Sequence, residues 1–363
     1  MPTTNKLQEI RKRRGIGAAQ LARSAGVSRQ TIYAMEAGDY VPNTTVALQL
    51  ARVLEVSVES LFALEAGQQA LAPPVPVEWL GSRTEPGQPV QLCRVGKRIL
   101  AVSAAPQSLG LPLADGVVVD SAAVQSFEDQ PAYHKRLLVA GCDPAISVLA
   151  QYLVRSEGVE LITAPCSSRT ALQWLKEGKV HMAGSHLRDD RTGEYNLPII
   201  SKLFPRGGVR VVTFAIWDQG MVVARGNPKS IRKVADLARG GVSIVNREVG
   251  AGSRQLLDKE LAAGGISQRR ISGYTRIANG HLPAAFQVSS GDADCCIATR
   301  SAAQAFGLDF IPLATERYDL VFPMRYGEFP AVHSLLDVLN RSALRRRLET
   351  LAGYDTSHTG NSP

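Results

Sequence analysis

The 363-residue chain is poor in several things, and each shortage removes a class of function. Cysteine is scarce: Cys93, Cys142, Cys166, Cys295 and Cys296 show no Cys-x-x-Cys spacing, and the adjacent pair is badly placed to bridge itself. That excludes a disulfide scaffold and a zinc ribbon, so a reduced, cytoplasmic protein without a structural metal is expected. No stretch nears the roughly 18 apolar residues of a membrane helix. Met1–Lys6 runs into a charged helical pattern without an apolar leader core, so neither secretion nor a membrane partner is expected. Gly-Lys-Ser/Thr, His-Glu-x-x-His and Gly-x-Ser-x-Gly are all missing. Gly250-Ala251-Gly252-Ser253-Arg254 lacks the lysine and spacing of a phosphate loop. Cys142 or Cys166 with His186 could form a thiol nucleophile pair, but the expectation is a non-enzyme with no catalytic residue and no cofactor.

What is present points to nucleic acid and to a pocket. The net charge of +8 and a pI near 9.4 favour a polyanionic partner. A hydrophobic content of 45% with 20% charged residues supports real cores, and the length allows two or three domains. Leu21, Ala22 and Ala25 share one face of a helical pattern, and Ile32 and Met35 share one face of the next. Between them Gly26 suits a helix end and Ser28 an N-cap. A helix-turn-helix is the structure these positions describe, within an all-α domain over 1–64. Arg11, Arg13 and Arg14 on the first helix are expected to screen DNA phosphates.

Leu7-x-x-Ile10-Arg11, Gln20-Leu21-Ala22, Ala25-Gly26-Val27-Ser28, Ile32-x-x-Met35-Glu36-x-Gly38 and Pro42 resemble the Cro/C1-type (XRE) helix-turn-helix family. The resemblance implies that Gln20 holds a phosphate and that Ser28, Arg29, Gln30 and Tyr33 face the major groove of operator DNA. Arg suits guanine, Gln adenine, and Ser a base or a phosphate. A protein-binding helical bundle is the alternative.

Residues 65–78 read as a Pro-containing linker and 79–135 as a small β-rich connector, with a hairpin turn at Gly96-Lys97. So short a sheet has little core of its own, so it is expected to pack on the next domain or to help dimerise. From 136 to 350 strands and helices alternate, which predicts an α/β domain with ligands off the strand ends; the second lobe is placed at about 209–290 and a disordered tail at 351–363. Cys142, Ser167 (with Ser168) and Ser253 fall where loops hand over to helix N-termini, the natural location of an anion. Arg247 and Arg254 add charge suited to a carboxylate or oxyanion, and Gly250 and Gly252 permit close backbone approach.

Ala183-Gly184-Ser185-His186-Leu187, Gly193-Glu194-Tyr195-Asn196, Gly226-Asn227-Pro228, Asn246-Arg247-x6-Arg254, Gly273-Tyr274 and Gly291-x-Ala293-Asp294 resemble the type II periplasmic-binding-protein-like sensor domains fused to helix-turn-helix regulators. The resemblance implies a two-lobed clamshell related to molybdate- and tungstate-binding proteins. It adds Asp143, Ser185, His186, Tyr195, Asn196 and Asp294 to the ligand candidates. Each has a plainer role open to it. Ser167, Ser253 and Asp143 suit helix caps, His186 a backbone partner, Tyr195-Asn196 a turn and Asp294 a hinge, while His281 is expected at a structural or exposed position rather than against ligand. The whole then reads as a ligand-responsive, homodimeric transcription regulator. A small-molecule-binding protein with a protein-contacting helical domain, or an enzyme on the clamshell, are the alternatives.

Overall fold

The computed structural model describes residues 3–64, 73–81, 84–104, 113–128 and 135–363. The chain divides into two compact units, Met1–Ala72 and Pro73–Pro363. The first is five helices, α1 (Leu7–Arg13), α2 (Ala18–Ser24), α3 (Arg29–Ala37), α4 (Thr44–Leu54) and α5 (Val58–Leu61), with strands β1 (Thr3–Asn5) and β2 (Phe62–Leu64) pairing antiparallel. Leu7, Leu21, Ile32, Met35, Leu50, Leu54 and Leu61 are fully buried in one core. The turn forms as its residues dictate. Gly26 takes a φ of +67°, which L side chains avoid, and the Ser28 hydroxyl accepts the Thr31 N–H at 3.0 Å to cap α3.

The linker expected at 65–78 falls partly outside the described residues, while its end is ordered as β3 (Val75–Pro76) and β4 (Glu78–Trp79). These join β5 (Pro89–Val95), β6 (Arg98–Ser103), β7 (Gly116–Val118) and β8 (Ala123–Ser126) in a six-stranded sheet. One face buries only a small cluster around Val90, Leu92, Ala101, Val118 and Val124. The other packs Leu80, Cys93, Val95, Leu100 and Val102 against the α/β domain. Arg136 ties the two together, donating to the Leu92 carbonyl at 3.0 Å and to Asp115 at 2.8 Å.

The α/β part runs β9 (Arg136–Gly141), α6 (Ile146–Glu157), β10 (Glu160–Pro165), α7 (Ser168–Lys176), β11 (Met182–Ser185), α8 (Leu197–Leu203) and β12 (Val209–Val223). It continues through β13 (Ile244–Arg247), α9 (Gly252–Ala263), β14 (Ile277–Ala278), α10 (His281–Ser289), β15 (Cys295–Thr299), α11 (Arg300–Ala305) and β16 (Asp309–Pro323). Helices α12 (Pro330–Leu339) and α13 (Ser342–Leu348) and strand β17 (Tyr354–Asp355) end it. The sheet order is β10-β9-β11-β16-β12-β15-β13-β14.

Two expectations are corrected. The second lobe, expected at about 209–290, does not begin at 209: residues 209–223 and 309–323 form two 15-residue antiparallel strands, β12 and β16. Polar residues such as Gln219 and Glu316 interrupt the apolar pattern without ending the strands, because register shifts near Ala215 and Gly220 absorb the irregularity. The second lobe is therefore the segment between them, and these strands carry the chain out and back. The tail at 351–363 is not disordered. Tyr354 pairs across to Trp217, Thr359 is buried with its hydroxyl on the Phe214 carbonyl, and Thr213 N–H reaches the Asn361 carbonyl. Backbone bonding to β12 overrides its polar composition.

Candidate functional site

On the helical unit, α3 exposes Arg29, Gln30 and Tyr33 while burying Ile32 and Met35; Gln20 and Ser28 are exposed beside them. The Arg29 guanidinium rests on Tyr33, donating to its hydroxyl at 2.9 Å. Arg14 is exposed and reaches the Glu55 carbonyl at 3.3 Å. Arg11 is a correction: it is 8% exposed, forms a two-pronged ion pair with Glu36 and donates to the Ile16 carbonyl at 3.1 Å. Its charge is spent inside the domain, so no phosphate contact is available to it.

In the α/β domain the first lobe brings Cys142 from the end of β9, Ser167 and Ser168 from the start of α7, and Ser185 and His186 from the end of β11. The second lobe brings Arg247 from the end of β13, Gly252 and Ser253 from the start of α9, and His281 from the start of α10. Trp217, Gln219 and Glu316 come from the crossing strands. All converge on His186. Its Nδ1 meets Glu316 Oε2 at 2.7 Å and its Nε2 meets Cys142 Sγ at 3.3 Å. Its ring centre lies 5.1 Å from Trp217 and 5.9 Å from His281. Gln219 donates to Glu316 at 2.9 Å and accepts the Ser253 hydroxyl at 3.2 Å. Gly252 is required: a Cβ there would stand 2.4 Å from His186 Cε1.

The polar groups here are buried, and several lack hydrogen-bond partners among the described residues: Ser185 Oγ, Trp217 Nε1, Arg247 Nη1 and both ring nitrogens of His281. Leaving a buried donor unmet costs about 1–3 kcal/mol each. Arg247 is 1% exposed and clamped by Glu248 at 2.9 Å through Nε and Nη2, which leaves Nη1 free. Ser167 caps α7 by accepting the Thr170 N–H at 3.2 Å, and Ser168 Oγ accepts the His186 N–H at 3.3 Å. A cavity of about 350 Å³ opens outward from His186 and Glu316 past Tyr195 and Gln255.

Burial opposes charge on His186, but the Cys142 sulfur and Glu316 outweigh it and raise the ring to about 10. Burial also pushes Asp143 up to about 7, against the Tyr354 hydroxyl and the Ala145 N–H. His281 is held well below the usual histidine range by burial and then by the charges of Arg247 and His186.

Other expected ligand residues stand elsewhere. The Asn196 side chain is spent on the Ser185 carbonyl, Asp319 and the Leu187 N–H, bracing β11 against β16. Asp294 sits at the start of β15 and accepts the Ser243 N–H at 2.8 Å, at the opposite end of the lobe's strands from Arg247. Asp143 turns the chain into α6 by accepting the Ala145 N–H. Arg254 stacks on Tyr274 and lines an outer cavity of about 390 Å³ with Arg169 and Lys259, rather than reaching His186. Tyr195 lines the inner cavity and donates to the Thr315 carbonyl at 3.3 Å. Trp217, Gln219 and Glu316 were not singled out by sequence. The available signal was polar side chains set within long apolar strand patterns.

Comparison with protein families agrees with this architecture. Residues 7–61 match the helix-turn-helix family model, and residues 150–340 match the model of the PBP superfamily domain. The uncharacterized protein YvgK of Bacillus subtilis is 31% identical over 244 residues, 67% of this chain and 79% of that protein. The uncharacterized HTH-type transcriptional regulator YgzD of the same species is 48% identical over 44 residues, 12% of this chain and 67% of its own length. Among solved structures, the tungstate ABC transporter from Geobacter sulfurreducens superposes with a TM-score of 0.45 at 14% identity, covering 59% of this chain and 98% of that one. No helix among the described residues is long and apolar enough to cross a membrane. With a helix-turn-helix of the XRE type ahead of its clamshell, the chain belongs to the family of the PBP superfamily domain.

Proposed function

We propose that this protein is a one-component transcription regulator. Its helix-turn-helix reads operator DNA, and its clamshell binds a small anion, either an oxyanion such as molybdate or tungstate or a carboxylate metabolite. The observation that carries the ligand reading is the set of buried donors without partners around His186, from Arg247, Trp217 and Ser185. An anion accepts from such donors at no reorganisation cost, and the first turns of α7 and α9 favour negative charge nearby. Both lobes and the crossing strands contribute, so the ligand favours the arrangement in which the lobes meet. In a homodimer that preference would alter the fit of two helix-turn-helix heads to half-sites about 34 Å apart or a multiple of it. A coupling of about 1–3 kcal/mol is enough for a useful response.

The test is a melt of the full chain against molybdate, tungstate, sulfate, phosphate and small carboxylates. A ligand at a hundredfold excess over its Kd raises stability by about 2.7 kcal/mol. A shift that Arg247→Met abolishes supports the reading. A panel in which no anion moves the melt removes it.

A second reading has one observation in its favour. Cys142, His186 and Glu316 form a line of thiol, imidazole and carboxylate at 3.3 and 2.7 Å, the order a nucleophile, base and orienting group take. Covalent labelling of Cys142 by a turned-over metabolite would favour that enzyme.

A further inference from the structure

We propose that Cys142, His186 and His281 form a transition-metal site of the zinc-binding type that bridges the two lobes of the clamshell. The three side chains are buried, and their candidate ligand atoms all lie within 4.8 Å of one another. Cys142 and His186 belong to the first lobe and His281 to the second. In a tetrahedral site with Zn–S of about 2.3 Å and Zn–N of about 2.0–2.1 Å, neighbouring ligand atoms are about 3.5 Å apart. The Cys142 Sγ to His186 Nε2 distance, 3.3 Å, is already close to that edge.

The surroundings fit the same assignment. Metal-bound histidines commonly donate the second ring nitrogen to a carboxylate, which fixes the tautomer. His186 is placed for it: Nδ1 faces Glu316 at 2.7 Å, and Gln219 holds Glu316 in turn at 2.9 Å, with Nε2 toward the sulfur. His281 has no hydrogen-bond partner on either nitrogen among the described residues and is 1% exposed. A buried imidazole in that condition is poorly explained as a packing residue. Cys142 and Glu316 supply anionic groups to offset a divalent cation; Arg247, which also interacts with the Cys142 sulfur, is paired with Glu248.

Three protein ligands leave a fourth position open. Insofar as the anion reading above holds, that position would receive the anion, with Arg247 and Trp217 as further donors. The metal assignment itself does not depend on that reading. Sequence spacing gave no sign of the site, because 44 residues separate Cys142 from His186 and 95 more separate it from His281.

The experiment is a titration of the reduced, metal-stripped full chain with Co²⁺, then displacement by Zn²⁺. We expect one equivalent per chain and a thiolate-to-cobalt charge-transfer band in the near ultraviolet. Cys142→Ser should lose the band. His281→Gln should bind at least tenfold more weakly, and Glu316→Gln roughly 10- to 100-fold more weakly. No thiolate band in the wild-type chain would overturn the site whether or not any variant folds. A band that survives Cys142→Ser would also overturn it. The outcomes separate from those of the sensor reading: an anion-dependent melt without cobalt binding sinks only the metal site. Cobalt binding with the expected variant pattern, but no anion response, supports the site and sinks only the anion sensor.

Discussion

Placing a methyl group on Gly252 should weaken ligand binding without unfolding the clamshell. Gly252 opens α9 in the second lobe, and its Cβ position lies 2.4 Å from His186 Cε1 and 2.6 Å from Nδ1 in the first lobe. The ring cannot step aside, because Glu316 holds one side at 2.7 Å and Cys142 the other at 3.3 Å. Relief requires the lobes to part by about 1 Å, given an ordinary carbon contact of about 3.5 Å. Overpacking of this kind costs typically about 1–3 kcal/mol, which is a loss of about 5- to 150-fold in affinity at 1.4 kcal/mol per decade. Alanine is also a better helix residue than glycine by about 0.5–1 kcal/mol, so the separated lobes lose nothing in stability. The assay is calorimetric titration of Gly252→Ala and wild type with the anion found by melting, beside a urea melt of each. A Kd within twofold of wild type, with an unchanged melt, would refute the claim that the two lobes close on the ligand against His186.

Three other outcomes are expected. Arg29→Ala should cost roughly 1–3 kcal/mol of specific operator affinity and relax one base position; unchanged sequence preference in a selection from random DNA would remove Arg29 from the reading set. Arg11→Ala should instead destabilise the helical unit by roughly 3 kcal/mol, since it leaves Glu36 buried without its partner; a normal melt with weakened DNA binding would restore the phosphate role. His181 accepts the Leu138 N–H at 3.0 Å, and burial lowers it from 6.5 to about 4. The unfolded chain therefore takes up the proton first, and roughly 3 kcal/mol of stability, complete above pH 6.5, should drain away as pH falls to about 4. Urea melts across that window should show the slope, and His181→Gln should flatten it; an equal slope in the variant would assign it elsewhere.

The helical unit was legible because its signals are local. Cap, turn glycine and apolar stripe lie within a few residues, and they bury Leu21, Ile32 and Met35 as their spacing requires. Arg11 misled for the opposite reason: its partner is 25 residues away, and a basic helix face looks the same whether it meets phosphate or Glu36. In the clamshell, the helix starts at Ser167 and Ser253 could be placed from strand-to-helix handovers, whereas Arg247 was named only for its charge and its burial became visible in the fold. Asn196 and Asp294 were credited by motif, yet each completes a long-range backbone hydrogen-bond pattern that no local reading displays. His281, Trp217 and Glu316 became visible only once two long strands and a helix start met around His186.

The most direct measurement is the affinity of the full chain for an operator selected from random DNA, with and without a saturating concentration of the anion that stabilises it. The account predicts a change of about 5- to 150-fold, the size of a 1–3 kcal/mol coupling, that disappears in Arg247→Met while basal operator binding persists. An operator Kd that stays the same within twofold at saturation would contradict it, leaving a DNA-binding domain and an anion-binding domain that do not communicate.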